Sequence, residues 1–277
     1  MSKNIKDVQQ FWESNPLWTG ESQFESGTKD FFEEHRRVVA EDCFAGKIDN
    51  RIMPHKRNWE RILDLGCGPG LWTVEISQNG CKGKITAADL TINALALAKE
   101  RCRLYGVEVF CSQQNAEKLA FRSAVFSHVN CQGVIHHLPN TNACIEEIAR
   151  VLEDKGTASI SVYNKNIILR AWPLIRWIGR ILNKSGAVLS GRGRENIYNL
   201  NDVNEIVRYY DGKDNPIGKC YTRKEFIQMV EPCFNVKETF FHFFPVRTLP
   251  FKIPKSIHRV LDRCMGFLIY ANLEKKQ

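Results

Sequence analysis

Two adjacent histidines, His136 and His137, and two aspartates that close short apolar runs, Asp64 and Asp89, are the side chains in this sequence best suited to chemistry. An imidazole with its ordinary pKa of about 6.5 can accept a proton near neutrality, so the histidine pair is a candidate general base. Its alternative is structural, with one ring buried against a helix and the other capping a loop. Asp64 stands two residues before a G-x-G-x-G run formed by Gly66, Gly68 and Gly70. Across these glycines the hydrophobic period changes from strand (Ile62, Leu63, Leu65) to helix (Leu71, Val74, Ile76). Such a turn brings main chain and a helix N-terminus to the carboxyl edge of a sheet, where a small ligand can approach closely. A dinucleotide fingerprint needs a glycine at the sixth position, and Leu71 occupies it here. Asp89 follows the glycines by roughly 20 residues, the separation of an acidic group that accepts hydrogen bonds from ribose hydroxyls. Its alternative is an ordinary turn or helix-capping aspartate.

These residues lie on alternating strands and helices from about Asn58 to Tyr163. The first strand leads into the glycine loop and a helix, and a second strand ends at Asp89. A helix over Asn93 to Leu104, strands three and four, a helix over Asn142 to Leu152 and a fifth strand follow. Alternation of this kind implies a parallel sheet with right-handed crossovers and ligands at the strands' carboxyl ends. The stretch LDLGCGPG resembles the first motif of class I S-adenosylmethionine (AdoMet) methyltransferases. KITAADLT, VEVFCSQQNAEKLAF, FSHVNCQGVIHHLPN and IARVLEDKGTASISVY resemble the segments that follow it in that family, in the family's order. The resemblance implies that AdoMet is held by Asp64, Gly66, Cys67 and Gly68 on the first loop and by Asp89 and Leu90 on the second. It adds Asn115, where the family more often has aspartate, with the backbone of Ala116, and Gln132 at the end of the fourth strand. It places His136 and His137 beside the transferred methyl and prefers His137 as the base.

The flanking segments have their own patterns. Residues 3 to 46 read as two helices joined by the aromatic turn SNPLWTGES, the second capped near Thr28. The resemblance implies that such a segment folds over the cofactor, which brings Phe11, Trp12 and Trp18 toward the site. After Tyr163 comes an insertion of about 57 residues. Its first part, Asn164 to Lys184, has Ile168, Trp172, Ile175, Ile178 and Leu182 at helical spacing with arginines between them, and Pro173 is expected to kink or divide it. This reads as a helix closing over the core with a solvated basic face or as a helix lying on a membrane. Thr222 and Glu225 fit a capping box for the next helix, and Phe234–Phe244 and Gly266–Lys275 read as strands flanking a helix over Lys255–Cys264. The expected fold is α/β: a Rossmann-like, seven-stranded, mostly parallel sheet with an antiparallel last strand pair, a helical N-terminal cap and an insertion after the fifth strand. The corresponding divisions are 1–50 for the cap, 51–163 for the AdoMet-binding core, 164–220 for a lid over the acceptor and 221–277 for completion of the sheet.

Composition limits the partners. The 277 residues are 43% hydrophobic and 25% charged, those of an ordinary globular chain. Ten cysteines without a C-x-x-C pair imply no zinc site or disulfide framework, and so a reducing cytoplasm. The net charge of +8 sits mainly in residues 165–224, where 12 Lys and Arg face 5 Asp and Glu. Arg192, Arg194, Tyr198, Arg208, Tyr209 and Tyr221 in and beside that segment are candidate acceptor contacts. The leading reading is an AdoMet-dependent methyltransferase acting on O, N or S of a small polar or anionic metabolite, with peripheral membrane contact open through 164–184. An RNA or tRNA methyltransferase is less favoured, since no RNA-binding motif accompanies the basic residues. A non-catalytic AdoMet-binding module is the remaining alternative. The acceptor atom and the oligomeric state are not readable from these residues.

Overall fold

A computed structural model describes residues 3–53, 60–185, 194–246 and 251–277. The chain begins with helices α1 (Ile5–Ser14) and α2 (Lys29–Val38), the latter running into a π-helical turn at Val39–Cys43. Asn4 and Asp7 close a capping box on α1, and Thr28 caps α2 as its spacing predicts. The core then alternates β1 (Arg61–Leu65), α3 (Leu71–Gln78), β2 (Lys84–Asp89), α4 (Ile92–Leu104), β3 (Val109–Gln113), β4 (Phe126–Gln132), α5 (Thr141–Val151) and β5 (Leu152–Asn164). The remainder forms α6 (Ile167–Lys184), α7 (Val203–Tyr210), β6 (Cys220–Tyr221), α8 (Arg223–Val230), β7 (Phe234–His242), α9 (Lys255–Met265) and β8 (Leu268–Lys275).

Seven strands run in the order β3-β2-β1-β4-β5-β8-β7, and β6 pairs with β5 off this path. Strand β8 is antiparallel to both β5 and β7, while β1 to β5 pair in parallel. The antiparallel pairing at the end of the sheet is therefore as expected, and the two-residue β6 is an eighth strand that the sequence pattern did not show. It pairs with Tyr163 and Asn164, just past the point where β4 leaves β5 at Ser161. The insertion thus rejoins the sheet at the carboxyl end of its central strands. Gly156 lies inside β5 beside a bulge: the pairing jumps from Phe126↔Leu152 to His128↔Thr157, and Lys155 takes φ of 59° there. Pro173 likewise does not divide α6, which runs unbroken through it. Of the insertion's acceptor candidates, Arg192 and the side chain of Arg194 lie outside the described residues.

Helices on both faces explain why the central strands are apolar. Leu63, Leu65, Val129, Ile160 and Val162 are fully buried with Ile145 and Ile148 of α5 and Phe226 of α8. Fully burying one such side chain is worth about 1.5–3 kcal/mol, enough in sum to hold a loop of unfavourable backbone angles at the strand ends.

The N-terminal helices are tied onto this core. Arg36 of α2 forms a two-pronged ion pair with the buried Glu75 of α3. Arg101 of α4, 1% exposed, donates to the Phe32 carbonyl and lies against His35 and over the Phe32 ring. Burial lowers its pKa to about 10, so it stays charged at neutral pH. Glu13 of α1 accepts the N–H groups of Ile92 and Asn93 at the start of α4.

The glycine loop carries different constraints at its three glycines. All have positive φ (68°, 49° and 74°). A Cβ on Gly70 would meet the backbone of Ala98 at 2.9 Å, whereas one on Gly68 would meet nothing within 4 Å. Gly70→Ala should therefore lower stability by roughly 2–4 kcal/mol, combining left-handed strain with displacement of α4, and Gly68→Ala by only about 1 kcal/mol. Urea unfolding of both variants checks this, and equal losses would contradict the assigned packing.

Candidate active site

The carboxyl ends of β1, β2, β4 and β5, together with the N-terminal helices, enclose a cavity of about 290 Å³. Its floor is the β2–α4 turn. The Asp89 carboxylate accepts the N–H of Gly68 at 3.0 Å through one oxygen, and the N–H and hydroxyl of Thr91 at 3.0 and 2.8 Å through the other. Burial pushes the Asp89 carboxyl up from the usual carboxylate range, against the pull of these hydrogen bonds. The N–H groups of Gly66 and Cys67 go to the Ala88 carbonyl and that of Gly70 to the Cys67 carbonyl. What the loop offers a ligand is bare main chain and the open space over Gly68, rather than the free donors that a phosphate cradle would present.

Gly66, Gly68, Asp89, Leu90, Ala116, Gln132, His136, His137 and Trp18 all line the cavity. Asp64, Cys67 and Asn115 do not. Asp64 is 1% exposed and accepts from the Thr73 hydroxyl at 2.5 Å and the Asn130 amide at 2.8 Å, joining β1 to α3 and β4. Burial raises its pKa to about 6 in spite of both hydrogen bonds. Cys67 packs with Ala87 and Ala98, and burial pushes its thiol well above the usual range. Asn115 turns its amide oxygen onto the Glu117 N–H, and its neighbour Gln114 lines the cavity instead.

On the opposite side, β4 ends in a polar ladder. Asn130 reaches Asp64, and the Gln132 amide nitrogen donates to Asn130 and Ser159. The Gln132 amide oxygen and His136 Nδ1 are buried without a hydrogen-bond partner among the described residues, and both residues line the cavity. Burial first, then the neighbouring His137, drives the His136 pKa well below its ordinary value, so that ring is neutral. The His136 ring centroid lies 4.2 Å from that of His137 and 4.3 Å from that of Tyr163.

His137 is held by the insertion. Its Nδ1 is 2.8 Å from the Ile217 carbonyl, which can only accept, so Nδ1 carries the proton and Nε2 is the basic nitrogen. Nε2 lies 3.5 Å from Asp211, and the Tyr163 hydroxyl donates to that carboxylate at 3.0 Å. Lys219 donates to the carbonyls of Leu138 and Pro139 just beyond the histidines, which fixes their loop to the returning strand β6. Trp12 of α1 packs edge-on against His137 at 5.2 Å, and Trp18 stacks on His35 at 5.6 Å. Both tryptophans line the cavity, whereas Phe11 is buried outside it.

Asp211, Tyr163, Tyr210, Phe243 and Gln114 are lining residues that sequence reasoning missed. Tyr163 alone carried a signal, as the last apolar residue of a strand whose carboxyl end faces the site. The insertion's remaining candidates serve other contacts. Arg208 pairs with Glu205 and caps the Lys213 and Asn215 carbonyls with the Tyr209 ring beneath it, Tyr221 meets Thr141, and Tyr198 packs near Trp172.

Residues 62–156 match the methyltransferase domain family. The chain is 31% identical over 127 residues to a ubiquinone biosynthesis O-methyltransferase of Xanthomonas axonopodis pv. citri, covering 45% of this chain and 52% of that protein. It is 35% identical over 105 residues to an uncharacterized protein of Synechococcus sp., covering 37% and 25%. The chain therefore spans at most about half the length of these curated relatives. A solved AdoMet-dependent methyltransferase of Methanosarcina mazei shares the fold with a TM-score of 0.54 at 18% identity, over 80% of this chain and 93% of that one. Residues 62–156, from β1 to the bulge in β5, thus match a methyltransferase domain, and the fold around them is the one seen in the Methanosarcina AdoMet-dependent methyltransferase.

The raised pKa of Asp64 has a consequence for stability. A carboxyl that titrates near 6 when folded and near 3.9 when unfolded is ionised at a cost to the native state. Stability should fall as pH rises from about 4 to 6, by roughly 3 kcal/mol from this group, with Asp89 adding in the same direction. Asp64→Asn should flatten that part of the curve. Urea denaturation at pH 4 and pH 7 measures the difference, and an unchanged slope in the variant would exclude Asp64 as its source.

Proposed function

We propose that this chain catalyses methyl transfer from AdoMet to an oxygen of a small-molecule acceptor. The observation that carries the proposal is the setting of His137, a cavity-lining residue whose Nδ1 proton is committed to the Ile217 carbonyl while Nε2 lies 3.5 Å from the buried Asp211 carboxylate. AdoMet supplies a methyl group on a sulfonium leaving group, so the protein's tasks are binding, alignment, water exclusion and removal of one proton. The residues present fit that cofactor. Asp89 retains acceptor capacity beyond its three internal donors and suits ribose hydroxyls, and the open space over Gly68 admits a ligand against the main chain. Leu90, Gln114 and Ala116 would flank the adenine, and the unpartnered oxygen of Gln132 is available to the amino-acid end.

His137 then takes the proton of an acceptor hydroxyl at Nε2. The imidazolium so formed faces Asp211, which the Tyr163 hydroxyl holds in place. His136 is neutral and buried, with Nδ1 free to accept a hydrogen bond from a bound ligand. The described lining contains no Lys or Arg, while Glu21, Asp42, Asp89 and Asp211 are all acidic. An anionic acceptor would find no counter-charge there, so a neutral hydroxylated acceptor fits better than the anionic metabolite of the sequence reading. The name of the Xanthomonas relative, an O-methyltransferase, supports oxygen over nitrogen or sulfur. Among the described residues no helix is long and apolar enough to cross a membrane.

Asp89→Ala should weaken AdoMet binding about a hundredfold, the loss of two charge-assisted hydrogen bonds, with calorimetry on the folded variant as the measure. On an acceptor found by screening metabolite extracts for labelled-methyl uptake, His137→Ala should lower kcat by roughly 10² to 10⁴ and leave AdoMet affinity nearly unchanged. Near-wild-type turnover in that variant would remove the base from the mechanism.

A further inference from the structure

A second cavity of about 250 Å³ adjoins the first and has no part in the chemistry described above. It lies under α6, between that helix and α7, with Leu169, Trp172, Ile175, Ile206, Val207 and Phe267 among its lining. Its described lining includes no charged side chain and is mostly hydrocarbon; of its polar groups, Trp172 Nε1 donates to the Leu200 carbonyl and the Tyr163 hydroxyl to Asp211, which leaves the hydroxyls of Tyr198 and Tyr210. A void of this size, against the roughly 30 Å³ that a water takes in the liquid, offers water almost nothing to bond to and suits an apolar guest.

The second cavity shares a wall with the first. Tyr163, Tyr210 and Phe243 line both, with ring centroids 6.4 Å apart for the tyrosine pair and 5.5 Å apart for Tyr210 and Phe243. Among these shared rings Tyr163 meets Asp211 and His137, and on the side of the second cavity the described lining is mostly apolar. On its outer side α6 exposes Leu174, Trp177, Ile178 and Ile181, spaced i, i+3, i+4 and i+7, with Arg180 and Arg176 alongside. Leu174 is 79% and Trp177 58% exposed, an arrangement that in water leaves a continuous apolar stripe unsatisfied. Ile178 belongs both to this stripe and to the cavity lining, so the two meet there. A helix with such a stripe and basic neighbours suits the interface of an anionic bilayer.

We infer that the acceptor is an amphiphile. Its hydroxylated head sits at His137 and Asp211, its hydrocarbon tail fills the cavity under α6, and it is drawn from an anionic lipid surface on which α6 lies. This rests on the methyl-transfer reading and narrows it to substrates with an apolar chain.

The test uses the full chain with S-adenosylhomocysteine and a series of 4-alkylphenols from methyl to dodecyl as probes. Calorimetric affinity should rise about fourfold per methylene and then level off when the cavity is full. A flat series overturns the proposal. Ile206→Trp should bring the plateau to shorter chains and weaken the longest by at least tenfold, with AdoMet affinity unchanged. If Ile206→Trp fails to unfold cooperatively, Ile175→Glu at the half-exposed rim replaces it and should weaken every long-chain probe. AdoMet binding is measured separately: a chain-length series without AdoMet affinity would leave the cavity assignment standing and remove the methyl-transfer reading beneath it. For the source of the tail, the chain should co-sediment with equimolar phosphatidylcholine–phosphatidylglycerol vesicles and Trp177→Glu should abolish this. Tail binding without vesicle association overturns the bilayer as the source.

Discussion

The hydrogen bonds of Asp89 are the interaction on which the site depends. One carboxylate joins the β1–α3 loop through Gly68 to the β2–α4 turn through Thr91, and so fixes the separation of two loops that arise from neighbouring strands. The arrangement has a cost, since burial disfavours the charged form and the loop it anchors has three residues at positive φ. That cost can be borne because the strands behind it are covered on both faces by apolar side chains. A fold with one wet face would have less burial with which to offset it. The same carboxylate can serve a ligand only because its internal donors hold it at the cavity floor instead of letting it turn to solvent.

Two peripheral segments convert this floor into an enclosure, and they act on different sides. The N-terminal helices cover the side of the glycine loop and the β2–α4 turn, held by Arg36 on Glu75, Arg101 on Phe32 and Glu13 on the start of α4. The insertion covers the other side and supplies groups that the core lacks: the Ile217 carbonyl that sets the His137 tautomer and the Asp211 carboxylate beside Nε2. The core presents a histidine, and the insertion determines which of its nitrogens is basic. Since β6 pairs with the extreme end of β5, this contact depends on only two residues of ladder, reinforced by Lys219 on the Leu138 and Pro139 carbonyls.

Much of this was legible in the sequence, for identifiable reasons. The strand-to-helix change across Gly66 to Gly70, the acidic residue about 20 positions on, the cap at Thr28 and the capping box of Thr222 and Glu225 are local signals, set by backbone geometry within a few residues, and each appears in the structure where its pattern places it. Helix α7 was not legible because it is short and buries only Ile206 and Val207, too few to make a period. Asp211 was missed for a different reason. It follows two tyrosines and precedes Gly212, which reads as a turn, and its importance comes from a contact with His137 that is 74 positions away in sequence. Asp64, expected at the ligand, is instead enclosed by Thr73 and Asn130, since an acidic residue before a glycine loop looks the same in sequence whether it faces a ligand or braces the loop from behind.

The electrostatics of the cavity follow from these placements. Its described lining carries acidic groups and two histidines but no Lys or Arg, while the basic excess of the chain lies on α6 and elsewhere outside it. An acidic, aromatic enclosure favours a bound cation over a bound anion, which suits a sulfonium, and Trp12, Trp18, Tyr163 and Tyr210 add ring faces and edges that exclude water. On the proposed reading a proton leaving a neutral hydroxyl goes to His137, because burial keeps His136 neutral, Asp64 is enclosed by Thr73 and Asn130, and Asp89 lies on the glycine-loop side of the cavity. His137 differs from His136 in the carboxylate of Asp211, 3.5 Å from its Nε2, which can hold the resulting charge. The separation of roles, with Asp89 as anchor, Asp64 as brace and the His137–Asp211 pair as the proposed base, therefore comes from hydrogen bonds made inside the protein itself.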